Sequence, residues 1–233
     1  QLLLYPQEDE RQQLRDWKSS GQVLGKQVNF AWDDLALGEK EFGFSATVRT
    51  KNIRPEVRRK IPFPLTDLNG FEQYLQPTVT IDSENPRIIA RATELAEGED
   101  DLFKVAFKVA SWVEENVKYD LNSLTAKASQ KASWVLENRE GVCDEMTSLF
   151  VAMMRSLGVP ARFVSGISYT TSDLFTDPWQ AHGWAEAYFP GIGWVPFDIT
   201  FGEYGYIDVT HVKLRDGFDP AEAATKYEWL AEN

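Results

Sequence analysis

Cysteine is almost missing from this sequence: Cys143 is the only one in 233 residues. An internal disulfide framework is therefore impossible, and so is a cysteine-rich zinc site. The shortage does not fix a compartment, because an exported enzyme can do without disulfides. Histidine is nearly as scarce, at two residues, so any chemistry that needs an imidazole has only His182 and His211 to draw on. Positive charge is short as well: 24 lysines and arginines face 36 aspartates and glutamates, for a formal net charge of −12. That balance argues against nucleic acid as a partner, since phosphate binding needs clustered Lys and Arg. It argues equally against docking on an anionic membrane surface, and it disfavours acidic substrates in general. Long apolar runs are absent, and nothing approaches the roughly 20 residues of a membrane span. No signal peptide is visible. The sequence opens on Gln1 rather than methionine, which reads as an excised or processed piece. The compartment is left open; an extracytoplasmic place within a longer anchored or exported protein fits.

What is present is a chain long enough to bury a core, as one large domain or one domain with an appendage. Residues 1–20 read as a helix after Pro6, ended by Gly21. The segments 21–32 and 39–53 alternate apolar and polar residues, as half-buried strands do. Residues 58–82 are broken by prolines and read as loop and edge strand. From residue 83 the period changes. Ser83 is the candidate N-cap of a helix over 86–97 that Gly98 stops. Residues 101–117 carry a stripe of Leu102, Val105, Ala106, Val109, Trp112 and Val113 at helical spacing. A short helix ends near Gly141, and a long one runs from Cys143 to Leu157, closed by Gly158 and Pro160. The period then drops to two. Strands are expected at 161–169, 182–189 and 193–202, the last two joined by a turn at 190–193, with 207–219 closing the sheet. A last helix is expected in the acidic, aromatic tail. The reading is α+β, with a helix and β-rich appendage over 1–82 and a catalytic domain over 83–233.

A thiolate nucleophile needs access, a lowered pKa and a base to manage its proton. Cys143 stands at a helix start, where unsatisfied N–H groups and the helix dipole favour negative charge. Its own N–H is a candidate oxyanion donor. His182 opens one strand and Asp198 lies in the next, across a hairpin. There the carboxylate need only hold the imidazole in the right tautomer. Each residue alone has a bland reading: a cysteine packed in a helix, a structural histidine, an aspartate capping a turn. Their coincidence at element ends that can converge favours a Cys143–His182–Asp198 triad.

The segments REGVCDEMTSLFVAMMRSLGVPARFVSG and HGWAEAYFPGIGWVPFDITFG resemble the core of the transglutaminase-like superfamily, its microbial branch in particular. The pieces G-x-C, G-[IV]-P-A-R, H-x-W-x-E and G-W-x-x-F-D-x-T stand in order. The resemblance covers about residues 85–220 and is strongest over 139–202. It implies a papain-like core of helices packed on an antiparallel sheet, with Cys143 as nucleophile, His182 as general base and Asp198 as its orienter. It makes His211 structural and leaves residues 22–80 as the end of an appended β domain. It implies acyl transfer on a peptide or carboxamide of a protein or peptide substrate, with hydrolysis slightly favoured over transamidation. It implies no cofactor and no metal, since calcium loops are not recognisable. Tyr119, Trp134 and Trp184 are the positions from which an oxyanion side chain could come, though core packing accounts for all three. The competing reading is a non-catalytic binding or scaffold module of a larger surface protein.

Overall fold

The computed structural model describes residues 48–121 and 129–223. The helix expected over 1–20, the strand over 21–32 and most of that over 39–53 lie outside them, as does the tail beyond Ala223. The chain from Thr50 onwards is one compact unit. No helix of the described residues is long and apolar enough to cross a membrane.

Two helices open the core. α1 spans Pro86–Ala96. Its N-cap is Asn85, whose side chain accepts from Arg87 N–H at 3.0 Å. The cap falls at Asn85 rather than Ser83 because Pro86, with φ preset and no N–H to satisfy, suits the first helical position. α2 spans Leu102–Asn116, capped by Asp101, and buries Leu102, Val105, Ala106, Val109, Ala110 and Val113 on one stripe. After it β1 (Lys118–Tyr119) pairs in parallel with β2 (Glu140–Gly141), with α3 (Ala132–Asn138) between them. That small pairing brings Tyr119 beside the segment that leads into Cys143.

α4 (Cys143–Ser156) is the central element, and every residue from Glu145 to Arg155 is buried. Helices α1, α2 and α3 pack on one side of it and the sheet on the other. Gly158, at φ 74°, ends it as expected. The sheet holds β3 (Ala161–Tyr169), β4 (Trp179–Phe189), β5 (Gly193–Asp198), β6 (Glu203–Tyr204) and β7 (His211–Gly217). It is antiparallel throughout, in the order β6-β5-β4-β3-β7. Phe150, Phe189 and Phe197 are fully buried between α4 and the sheet; side chains of that size each contribute about 1.5–3 kcal/mol on burial. The segment before α1 joins the same core through Ile61 and Ile81, and its stretch Glu72–Leu75 is one 3-10 turn. A short α5 (Pro220–Ala223) closes the described chain.

Candidate active site

The start of α4 is fixed to its surroundings by side chains of its own first turn. Glu145, buried, accepts from Val142 N–H and from Gln130 N–H, both at 3.0 Å. Thr147 donates to the Gly183 carbonyl at 3.1 Å, and the Gly183 N–H reaches the Cys143 sulfur. The Thr147 bond ties the cysteine-bearing turn to the residue that follows His182. Only glycine fits there. A Cβ on Gly183 would lie 2.4 Å from the Phe163 ring and 2.7 Å from an Asp144 carboxylate oxygen.

His182 sits two positions along β4 from the point facing Asp198, because Ala185 pairs with Phe197. Its Nε2 meets Asp198 Oδ2 at 2.5 Å, with both residues buried. Asp198 Oδ1 accepts from Phe201 N–H at 2.9 Å. The carboxylate is thus fully engaged, and Nδ1 is the ring nitrogen of His182 left for a reacting thiol.

A second imidazole reaches the same carboxylate. His211 Nε2 lies 3.0 Å from Asp198 Oδ2, while its Nδ1 lies 3.2 Å from Asp208 Oδ1 and 3.7 Å from Glu203 Oε2. Both ring nitrogens face carboxylates, so both are best satisfied as donors, which makes the ring an imidazolium. Burial works against that charge, but Asp198, Asp208 and Glu203 outweigh it and raise the His211 pKa. Burial likewise opposes ionisation of Asp198; the contacts with His182, then His211, overcome it and hold the carboxyl well below the usual range. The only sequence signal for His211 is its scarcity; it reaches Asp198 from the first residue of β7, which pairs with β3 at the edge of the sheet.

The thiol is less simply placed. Cys143 is half-buried, and burial pushes its pKa up, followed by the charge of Asp144; the Gly183 N–H acts the other way. The sulfur donates to Asp144 Oδ1 at 3.7 Å, so among the described contacts the thiol rests on Asp144 rather than on His182. Burial and the neighbouring Glu145 raise the Asp144 pKa in turn. Nothing in the sequence pattern singles out Asp144, although its place directly after the cysteine puts it in reach.

Of the three aromatic positions, Trp134 packs against the main core. Trp184 is buried with Val164 and Ile207 on the opposite side of the sheet. Tyr119 differs: burial, then neighbouring negative charge, raises its phenol pKa, and it pairs with Gly141, two residues before Cys143. Metal-ligating atoms of His182, Asp198 and His211 lie within 4.8 Å of one another, as do those of Glu203, Asp208 and His211. In the first cluster Asp198 Oδ2 meets both imidazoles; in the second His211 Nδ1 meets Asp208 at 3.2 Å, and Glu203 accepts from the Asp208 N–H at 3.1 Å.

Comparison with known proteins agrees with this architecture. The family model described as the transglutaminase-like superfamily matches residues 89–199. The YebA protein of Bacillus subtilis (strain 168) is 30% identical over 137 residues, or 52% of this chain and 18% of that protein. A protein-glutamine gamma-glutamyltransferase of Pseudomonas aeruginosa is 26% identical over 64% of this chain and 22% of its own length. The chain thus spans under a quarter of either relative. Among solved structures, that of a candidate cysteine protease from Cytophaga hutchinsonii gives a TM-score of 0.60 at 25% identity, over 74% of this chain and 55% of that one. Helices packed on one antiparallel sheet are the papain-like arrangement that the sequence led us to expect.

Proposed function

We propose that this chain, whose residues 89–199 match the family model of the transglutaminase-like superfamily, performs thiol-dependent acyl transfer on peptide or carboxamide bonds of a protein or peptide substrate. The observation that carries the reading is the buried 2.5 Å contact of His182 with Asp198, one residue from the glycine whose N–H meets the Cys143 sulfur. Cys143 gives its proton to His182 Nδ1, and the sulfur attacks the carbonyl carbon. The oxygen of the tetrahedral intermediate is received by the Cys143 N–H, with the Tyr119 hydroxyl as second donor. His182 returns the proton to the departing amine and a thioester remains. Water or a second amine then gives a proton to His182 and attacks the thioester; the acid or new amide leaves and the thiol is restored. Asp198 holds the imidazole with Nε2 protonated throughout.

Hydrolysis and transamidation use the same groups and differ only in what reaches the thioester. The name of the Pseudomonas relative speaks for transamidation, the Cytophaga structure for proteolysis. A second reading, a non-catalytic binding module, draws on one observation: the thiol rests on Asp144 and its pKa is raised. A single experiment separates them. Wild type and Cys143→Ala are assayed for peptide cleavage, for ammonia release from a blocked glutamine peptide, and for incorporation of a fluorescent amine. We expect one of these activities in wild type, none in the variant, and the same circular dichroism from both, since losing a sulfur is a small volume change. A folded Cys143→Ala with full activity would falsify the mechanism, and inactivity of wild type towards all three favours the module.

A further inference from the structure

A hollow of about 360 Å³ lies between α1 and the end of α3, on residues that the proposed chemistry does not use. Its charged lining is Arg87, Arg91, Glu94, Glu137 and Arg139. Arg87 pairs with Glu137 at 3.0 Å and Arg91 with Glu94 at 2.7 Å, through largely exposed carboxylates; exposed pairs of this kind hold weakly. Arg139 has no carboxylate partner among the described residues. Its guanidinium lies 4.4 Å from the centre of the Trp112 ring, and that of Arg91 lies 5.2 Å from the same ring. Two cations therefore share one indole. Arg139 Nη1 is buried and has no hydrogen-bond acceptor, which is costly for a charged donor. Burial and the neighbouring Arg91 both act against its charge.

The backbone adds an independent sign. Arg139 is the only non-glycine residue with positive φ among the described residues, at 60°. It caps α3 in the left-handed conformation, a position that glycine or asparagine takes with less strain. Strain kept at such a position points to a task for the side chain.

We propose that this hollow binds an oxyanion, carboxylate or phosphate, with Arg139 as the principal ligand. The planar guanidinium takes such a group through two parallel N–H bonds. The anion supplies the acceptor that Nη1 lacks and relieves the repulsion between Arg139 and Arg91, while Arg87 adds a further cation at the rim. The chain as a whole repels anions, at −12; at this hollow three arginines against Glu94 and Glu137 leave a local excess of one positive charge, carried by the unpaired Arg139. Only Glu140, Gly141 and Val142 separate Arg139 from Cys143. An occupant would therefore sit at the root of the segment that carries the thiol, yet the site does not depend on whether that thiol reacts.

The test is isothermal titration calorimetry of the whole chain with inorganic phosphate and with N-acetylglutamate, at low ionic strength and without chloride. Wild type should bind at least one of them saturably at one site. Preference for phosphate identifies a free phosphate ligand, and preference for N-acetylglutamate a peptide carboxylate. Arg139→Gly removes the guanidinium while suiting the φ of 60°, so the variant should stay folded and its unliganded melting temperature should not fall. Its affinity should drop about tenfold or more, as loss of a bidentate charged pair implies, with Arg139→Lys in between. Arg91→Gln, on the helix surface, should weaken binding to a smaller degree and serves if Arg139→Gly fails to fold. Absence of saturable binding in wild type, or wild-type affinity in the folded arginine variants, overturns the site.

Discussion

The Cys143 sulfur sits between opposing influences. The helix start and the Gly183 N–H favour a thiolate; burial and Asp144 favour the thiol. Removing the nearest negative charge tests that balance. Asp144→Asn should alkylate with iodoacetamide faster than wild type at every pH below the thiol pKa, because the variant thiol ionises more readily. Equal rates across the pH range would mean that Asp144 does not act on the sulfur. Gly183 is a second residue-scale test. Its missing Cβ leaves room for Phe163 and Asp144, so Gly183→Ala should destabilise the fold by about 1–3 kcal/mol, as overpacking does. Urea unfolding measures this, and an unchanged midpoint would show that the strand shifts freely. At this scale the sequence disclosed residue types and order but not crowding. Cys143, His182 and Asp198 stood out by scarcity and position. Asp144 did not, because nothing in a linear pattern says which neighbour of a helix-start cysteine turns back onto the sulfur.

Among the elements, β7 carries the least expected role. The family resemblance makes its His211 structural, yet the ring lies within hydrogen-bond distance of the carboxylate that holds His182. Its pKa is raised in the folded state. The stability it contributes is therefore complete below the unfolded value of about 6.5 and lost as pH rises through the folded value. Wild type should lose more melting temperature between about pH 6 and 9 than His211→Gln, whose amide keeps a bond to Asp198 but cannot titrate. Thermal melts followed by circular dichroism provide the comparison, and parallel curves would rule out the imidazolium. Self-repulsion from the net charge affects both proteins alike. The elements around it were legible where periodicity was strong. α2 and α4 matched their apolar spacing, and β3 matched its expected bounds, although its burial breaks step at Phe163 and Val164. β4 begins at Trp179, three residues before His182, because its early residues pair with Ser168 and Tyr169 on β3 and not through their own pattern. Trp112, placed on the apolar stripe of α2, is only partly buried; its ring is taken up by two arginines.

For the whole molecule, the far end of α4 matters as much as its start. Arg155, buried, donates to the carbonyls of Ala161, Gln76 and Phe218 at 3.0, 2.8 and 2.7 Å. It ties together the segment before α1, the start of β3 and the approach to α5. Burial lowers its pKa to about 10. Asp219 fastens the same region by accepting from Thr78 and Thr80. Arg155→Met should cost about 3–5 kcal/mol, because three carbonyls lose a charged donor. Denaturant unfolding checks this, and a loss under about 1 kcal/mol would mean water replaces the guanidinium. None of this was readable beforehand. An arginine in the last turn of a helix ordinarily complements the dipole at the surface, and only the packed chain shows that its three partners arrive from positions 76, 161 and 218.

A chain with one cysteine also has a fixed response to oxidants. A sulfenic acid formed on Cys143 finds no second thiol in the 233 residues to condense with, so no internal disulfide can shelter it. Recovery then rests on a thiol or other reductant from outside these residues reaching the start of α4. Without one, the sulfur proceeds to the sulfinic and sulfonic acids, which such reductants do not reverse.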